Sequence, residues 1–391
     1  MTANNLLELL PNNLLEELAI ETEVNKYSKK LQGEVIFKLL LYCLTTHKNN
    51  SLRTMQSSYE SIVFQYLNEN PTRKISHSSI SDRLNTIKPE YFELLFNTCV
   101  SSYKKILGNE IDNFLKFDST IVTESAKLIN IGYDTGGDSV NFKQLKFTIA
   151  FNELPLAVDF YHEKSYTSEN KALKETILKV NNKETITLFD KGITSRDTFD
   201  DFANKGLKFV SKIGNNSKIE IKIKNKLKKQ IKTKTLKITS DSWCYLFGTN
   251  KVKTKNVFRI IEAVILKTKE PIIFITNIED IDTADITEYY RKRWDIEVFF
   301  KYIKQELNFS KFICRTENGI KVVLYSTLIV AILLLVYKKL NKIKSFKLTK
   351  QKFAQELEYE IVKLIIELSG GNSAKLPEIL GFPPNLKSSE Q

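Results

Sequence analysis

Residues 289–309 read Tyr-Tyr-Arg-Lys-Arg-Trp-Asp-Ile-Glu-Val-Phe-Phe-Lys-Tyr-Ile-Lys-Gln-Glu-Leu-Asn-Phe, with no Gly or Pro. Placed on an α-helix at ~100° per residue, Tyr290, Arg293, Glu297 and Lys304 fall within roughly 60° of one another. Ile296, Phe299, Phe300, Ile303 and Leu307 form a second stripe about 90° away. One face is therefore made for a core, and the next presents a carboxylate among two cations and a phenol. Such a face suits phosphate or metal chemistry; a solvated ion-pair face has the same pattern. Two more acids stand in apolar surroundings. Asp118 lies within Phe114-Leu-Lys-Phe-Asp-Ser-Thr-Ile-Val122, and Asp190 ends Thr185-Ile-Thr-Leu-Phe-Asp. A carboxylate on a short apolar strand is costly to bury unless it is paired or holds a metal. Either alone also fits a satisfied structural residue. If the three acids converge, each pair at 4 Å costs about 4 kcal/mol at an effective dielectric of 20, so cations must offset the repulsion. Hard oxygen donors select Mg²⁺ or Mn²⁺ over zinc. Two such ions about 4 Å apart suit in-line displacement at phosphorus. That chemistry needs no protein nucleophile, and no G-x-S-x-G motif or Cys/His pair is apparent.

The elements that must position these groups are legible as pattern. Residues 1–110 read as helical, with leucines at helical spacing near the start and an apolar helix over 35–44. Helical pattern continues over 52–67. Within residues 75–84, Ile80 and Leu84 are four apart behind several hydroxyls. This resembles the second helix of a helix-turn-helix with Ser78, Ser79, Asp82 and Arg83 outward; an ordinary bundle helix is equally compatible. From residue 111 the pattern turns to strands: 114–122, then a Gly-containing turn over 134–138. Strands follow over 142–151 and 154–161, joined in hairpin style at Asn152 and Glu153. A helix over 168–180, the strand ending at Asp190, a helix from Ser195 and a strand over 207–212 complete a mixed α/β sheet. Ligands gather beyond the carboxyl ends of strands in such sheets.

Residues 214–271 differ. Ile219, Ile221 and Ile223 alternate with Glu220, Lys222 and Lys224, and nine lysines fall between Lys218 and Lys237. Further strands are expected at 236–238, 243–248 and 258–266. This β-rich, basic insertion reads either as a lysine-protected edge ribbon or as a phosphate-tracking surface with Trp243 nearby. Residues 271–277 return to the sheet. Residues 322–337 carry no charge but are short for a membrane span and read as a buried core helix. An amphipathic helix over 349–368 ends at Gly370 and Gly371, and the tail with Pro383 and Pro384 reads as disordered. The expected division is thus 1–110, an all-α DNA-binding domain; 111–213 and 272–340, the two parts of the α/β core; 214–271, the insertion; and 341–391, a helix and tail.

The chain has 391 residues and a net charge of +13, which favours a polyanionic partner, most simply nucleic acid; a lysine-rich genome is the alternative source. Four well-separated cysteines and three histidines argue against zinc or a disulfide framework and fit a reducing compartment. No signal peptide is apparent.

The spacing Tyr290-x2-Arg293-x3-Glu297-x6-Lys304 resembles in full the Y-R-E-K signature of the insertion-sequence-four class of DDE transposases. The Phe-Asp118-Ser-Thr strand resembles that family's first acid, and Leu-Phe-Asp190-Lys-Gly its second. Lys191 stands where the family usually has Arg, and Ile193 where it has an aromatic. The resemblance implies an RNase H-like mixed sheet with flanking helices, interrupted by the β insertion and preceded by an all-α domain. It implies Asp118, Asp190 and Glu297 as catalytic ligands of two Mg²⁺ or Mn²⁺ ions. Tyr290, Arg293 and Lys304 become contacts to phosphates near the cleaved end, and Trp243 a candidate to fill the space of a flipped base. The implied activity is strand hydrolysis at the ends of a bacterial mobile element, then attack of the freed 3′-hydroxyl on target DNA. The implied partners are double-stranded DNA and a second copy bound to it, in a prokaryotic cytoplasm at the nucleoid and without a membrane. A catalytically silent DNA-binding relative and a host RNase H-like nuclease are the alternatives.

Overall fold

A computed structural model describes residues 2–7, 10, 13–68, 74–108, 112–134, 141–180, 182–227, 231–248 and 251–376. The two glycines expected in the 134–138 turn and the tail with Pro383 and Pro384 lie outside the described residues. The N-terminal region carries helices α1 (Ala3–Leu7), α2 (Leu14–Thr22), α3 (Gly33–Thr46), α4 (Leu52–Tyr59), α5 (Ile62–Asn68), α6 (His77–Thr86) and α7 (Glu90–Leu107). Strands β1 (Phe114–Ser125), β2 (Tyr133–Asp134), β3 (Phe142–Asn152) and β4 (Leu154–Tyr161) follow. Next come α8 (Glu169–Val180), β5 (Ile186–Leu188), α9 (Arg196–Asn204) and β6 (Lys208–Ile213). The insertion supplies β7 (Ile219–Lys224), β8 (Leu236–Leu246) and β9 (Phe258–Ile265), and β10 (Pro271–Thr276) closes it. The chain ends in α10 (Thr283–Arg291), α11 (Trp294–Glu306), α12 (Glu317–Leu340) and α13 (Phe346–Leu368).

These elements form two compact units, Met1–Tyr103 with Ile303–Gln391, and Lys104–Tyr302. The first is helical. Its α12 is long and apolar enough to cross a membrane, yet 83% of its apolar window is buried, so it is the core helix that the short uncharged run implied. Ser76 caps α6 by accepting from the Ser79 amide at 3.1 Å, and Ile80 and Leu84 are buried below it. Ser78, Ser79 and Asp82 face outward as expected. Arg83 does not. Its guanidinium donates to the carbonyls of Leu31 and Val24 at 2.7 and 2.5 Å, because loop carbonyls left unpaired beside the helix take it inward.

The second unit is built on one ten-stranded mixed sheet, ordered β2-β3-β1-β5-β6-β10-β9-β8-β7, with β4 also on β3. This is the α/β, RNase H-like layout that the resemblance implies, with helices on both faces. The hairpin β3–β4 turns at Glu153, whose φ is +57°. β1, β5 and β6 run parallel; every other pairing is antiparallel. The period-two alternation sends Phe117, Phe189 and Phe209 to one face, under Leu173 and Ile177 of α8 and Phe199 and Phe202 of α9. Leu188, Val210 and Phe274 go to the other, under Ile286 and Tyr290 of α10. The insertion is not detached from this core. β10 pairs β6 on one side and β9 on the other, so β9, β8 and β7 extend the same sheet.

Candidate active site

Asp118 and Asp190 come from adjacent parallel strands. The β1–β5 register pairs Lys116 with Leu188; Asp118 lies two residues further along β1, in its first half, and Asp190 two residues beyond the end of β5. Asp118 Oδ1 accepts from the Ser119 amide at 2.8 Å. Burial pushes the Asp118 carboxyl up to about 6, against the Ser119 amide and Arg293, which pull it down. Asp190 is half-buried too, but the Lys191 amide and the Tyr290 hydroxyl outweigh that desolvation and hold it below the ordinary carboxylate value. The two carboxylates are thus driven apart in acidity by their surroundings.

Glu297 reaches them from the helices. The stretch expected as one helix is two, because α10 ends at Arg291 and α11 begins at Trp294. Turn-like bonds from Lys292 and Arg293 amides to the Tyr289 and Tyr290 carbonyls, both 3.0 Å, make the bend. The expected face survives it. Tyr290 Oη donates to Asp190 Oδ1 at 2.8 Å and accepts from Arg293 Nε at 3.1 Å. Arg293 Nη2 donates to Glu297 Oε1, and Nη1 lies 3.9 Å from Asp118 Oδ2. One buried guanidinium and one buried phenol therefore connect all three acids, which are otherwise far apart along the chain. Lys212 adds its ammonium over the Tyr290 ring, 4.6 Å from the centroid.

Two buried charge clusters hold these helices in place. Lys116, fully buried on β1, faces Asp112 at 3.2 Å, Asp295 of α11 at 3.3 Å and Glu153 at 3.9 Å. Phe299 stacks on Phe151 of β3 with centroids 4.8 Å apart. Ile296, Phe299, Phe300, Ile303 and Leu307 are all buried, as their stripe requires. Arg259 on β9 pairs with Asp241 on β8 at 2.7 Å, and Thr283 at the start of α10 donates to that Asp241 at 2.6 Å. The insertion strands thereby anchor the helix that carries Tyr290.

Two further residues were singled out in the sequence. Trp243 is half-buried on β8, opposite Ile223 on β7 and Arg259 on β9. Lys304 lies in the last turn of α11. The sequence reading passed over Trp294, which is 60% exposed directly after Arg293. The signal was available: on the same helical wheel Arg291, Trp294, Val298 and Lys301 share an outward face.

Residues 112–333, more than half of the chain, match the family model described as Transposase DDE domain. The chain belongs to the DDE transposase family. Among curated relatives, it is 25% identical over 248 residues to a putative transposase for insertion sequence element IS4SA of Synechocystis sp., covering 60% of this chain and 63% of that one. It is 26% identical over 153 residues to a probable transposase for insertion sequence element IS5377 of Geobacillus stearothermophilus, covering 39% of each. The chain thus spans less than two thirds of the length of these curated relatives. A cryo-EM structure of piggyBac transposase synaptic complex with hairpin DNA superposes with a TM-score of 0.48 and 10% identity, over 99% of this chain and 84% of that one.

The donor set is all carboxylate oxygen, which fits a hard divalent cation and not zinc. Arg293 faces Asp118 and Glu297 and Lys212 stands near Asp190, yet burial still leaves Asp118 reluctant to ionise. Among the described residues no three acidic, His or Cys side chains stand ready-made around one ion position. Arg293 occupies the space between Asp118 and Glu297 instead.

Proposed function

We propose that this DDE transposase cuts and joins DNA strands at the ends of an insertion sequence, using Asp118, Asp190 and Glu297. The observation that carries the reading is the chain of contacts Asp190–Tyr290–Arg293–Glu297, with Arg293 also facing Asp118. The three acids would hold two Mg²⁺ or Mn²⁺ ions, which supply charge neutralisation and Lewis acidity at phosphorus. The protein's own groups bind and orient. Arg293 offers a planar fork suited to a phosphate once it turns from the carboxylates, and Lys304 a point charge. Tyr290 keeps Asp190 aimed by donating its proton to Oδ1. Hydrolysis frees a 3′-hydroxyl, and the same site then positions that hydroxyl against target DNA. Trp243 remains the candidate for the space of a flipped base. The partners are double-stranded DNA and a second copy on it, in a bacterial cytoplasm.

Incubation with Mg²⁺ and a DNA fragment carrying the element ends tests this. Nicking at the ends is expected, and Glu297→Gln should abolish it while retaining DNA binding. Binding without nicking by the unaltered chain would instead mark a silent DNA-binding protein. Cutting without end preference would mark a general nuclease.

A further inference from the structure

We propose that Glu169, in the first turn of α8, is a positioning residue that fixes Asp118 and Asp190 relative to one another; the inference rests on the reading above. Glu169 Oε2 accepts from Ser119 Oγ at 2.8 Å. Ser119 follows Asp118, and its amide donates to the Asp118 carboxylate. The same hydroxyl is shared with Thr148 Oγ1 on β3 at 2.9 Å. The other oxygen, Oε1, faces the ammonium of fully buried Lys146 at 2.9 Å, and Lys146 also donates to the Thr167 carbonyl at 2.7 Å. A buried cation thus sets the direction of the Glu169 side chain.

The second acid is held from the same turn of helix. A Cβ at Gly192, two residues beyond Asp190, would lie 2.9 Å from Glu169 Cγ and 3.0 Å from its Cβ. Only a residue without a side chain lets the Asp190 turn rest on the Glu169 stem. Asn170 completes the hold: its Oδ1 accepts from the amides of Thr194 and Ser195 at 2.6 and 2.9 Å. The first two residues of α8 therefore grip the strand of the first acid and the loop of the second. Glu169 itself touches neither Asp118 nor Asp190 through a hydrogen bond, so it acts through Ser119 and the Gly192 turn. Outer-sphere groups of this kind typically change metal affinity or activity by about 10–100-fold when removed.

The test measures Mn²⁺ uptake by the full chain without DNA, using water-proton relaxation, beside steady-state cleavage. E169Q and G192A are expected to weaken Mn²⁺ binding and to lower kcat by about 10–100-fold, with KM for DNA within about twofold of the unaltered chain. E169Q leaves Lys146 without its counter-charge. If it melts below the assay temperature, G192A, which keeps that pair, decides the matter. Uptake and kcat within twofold of the parent in the folded variants would overturn this inference and leave the proposed function standing. No Mn²⁺ uptake by the parent chain would overturn both.

Discussion

Arg293 faces two carboxylates and a phenol from a buried position, yet it supplies one positive charge where three acids meet. At Asp118, burial outweighs that charge. Its ordinary value is 3.8, and burial pushes it up to about 6, with Glu169 and Glu297 adding to the upward push and Arg293 opposing it. Below the unfolded value both states hold the proton and the group costs nothing. As the pH rises through about 6 the folded chain must carry a poorly solvated anion, so the stability present at low pH is lost. Asp118→Asn removes that loss. In divalent-free buffer at pH 7.5 the variant should melt about 2–5 °C above the parent, with the gap closing toward pH 4, as read by thermal denaturation. An equal gap at both pH values would show that the carboxyl is not under this stress. The same substitution should abolish nicking, which separates stability from chemistry at one residue.

The elements that gather these residues were legible in unequal measure. The core stripe of α11 and the apolar flanks of Asp118 and Asp190 follow simple periodicity, which one buried face and one strand register enforce. The bend between α10 and α11 carries no Gly or Pro, so nothing local marks it. Strand β8 read as two shorter strands because Ser240, Asp241 and Ser242 interrupt its apolar pattern. Asp241 is buried there because Arg259, Thr283 and Asn225, distant along the chain, complete its hydrogen bonds. Nothing near Glu169 in the sequence marks it, because its partners arrive from β1, β3 and the Gly192 turn. Long-range pairing of this sort leaves no spacing to read. It does leave an energetic mark. Arg259→Met strands Asp241 in the core and should cost about 3–5 kcal/mol by urea denaturation, whereas the double change Arg259→Met with Asp241→Leu should recover much of it. Full-strength folding of the single variant would show that this pair does not hold β8, β9 and α10 together.

Across the whole molecule the net charge of +13 sets the terms of association. The lysine-rich ribbon ends the sheet of the second unit: β7 is its last strand, and Lys222, Lys224 and Lys226 are exposed along and just beyond it. Five strand spacings separate β7 from β5, which leads to Asp190, and at about 4.8 Å each that is roughly 24 Å. The distance is too great for these lysines to touch the phosphate undergoing reaction. It is the length of about seven base pairs, so a duplex with its end at the acids can reach the ribbon. An edge strand guarded by lysines against aggregation would have the same appearance but no effect on DNA. The two roles part under salt. Each phosphate contact contributes about 0.9 to the slope of log affinity against log salt. Lys222→Gln, Lys224→Gln and Lys226→Gln together should flatten that slope by about 2–3 and weaken binding to end and unrelated DNA alike, leaving the preference for ends intact. Gel shifts from low to moderate salt measure it, and an unchanged slope would return the ribbon to its protective role.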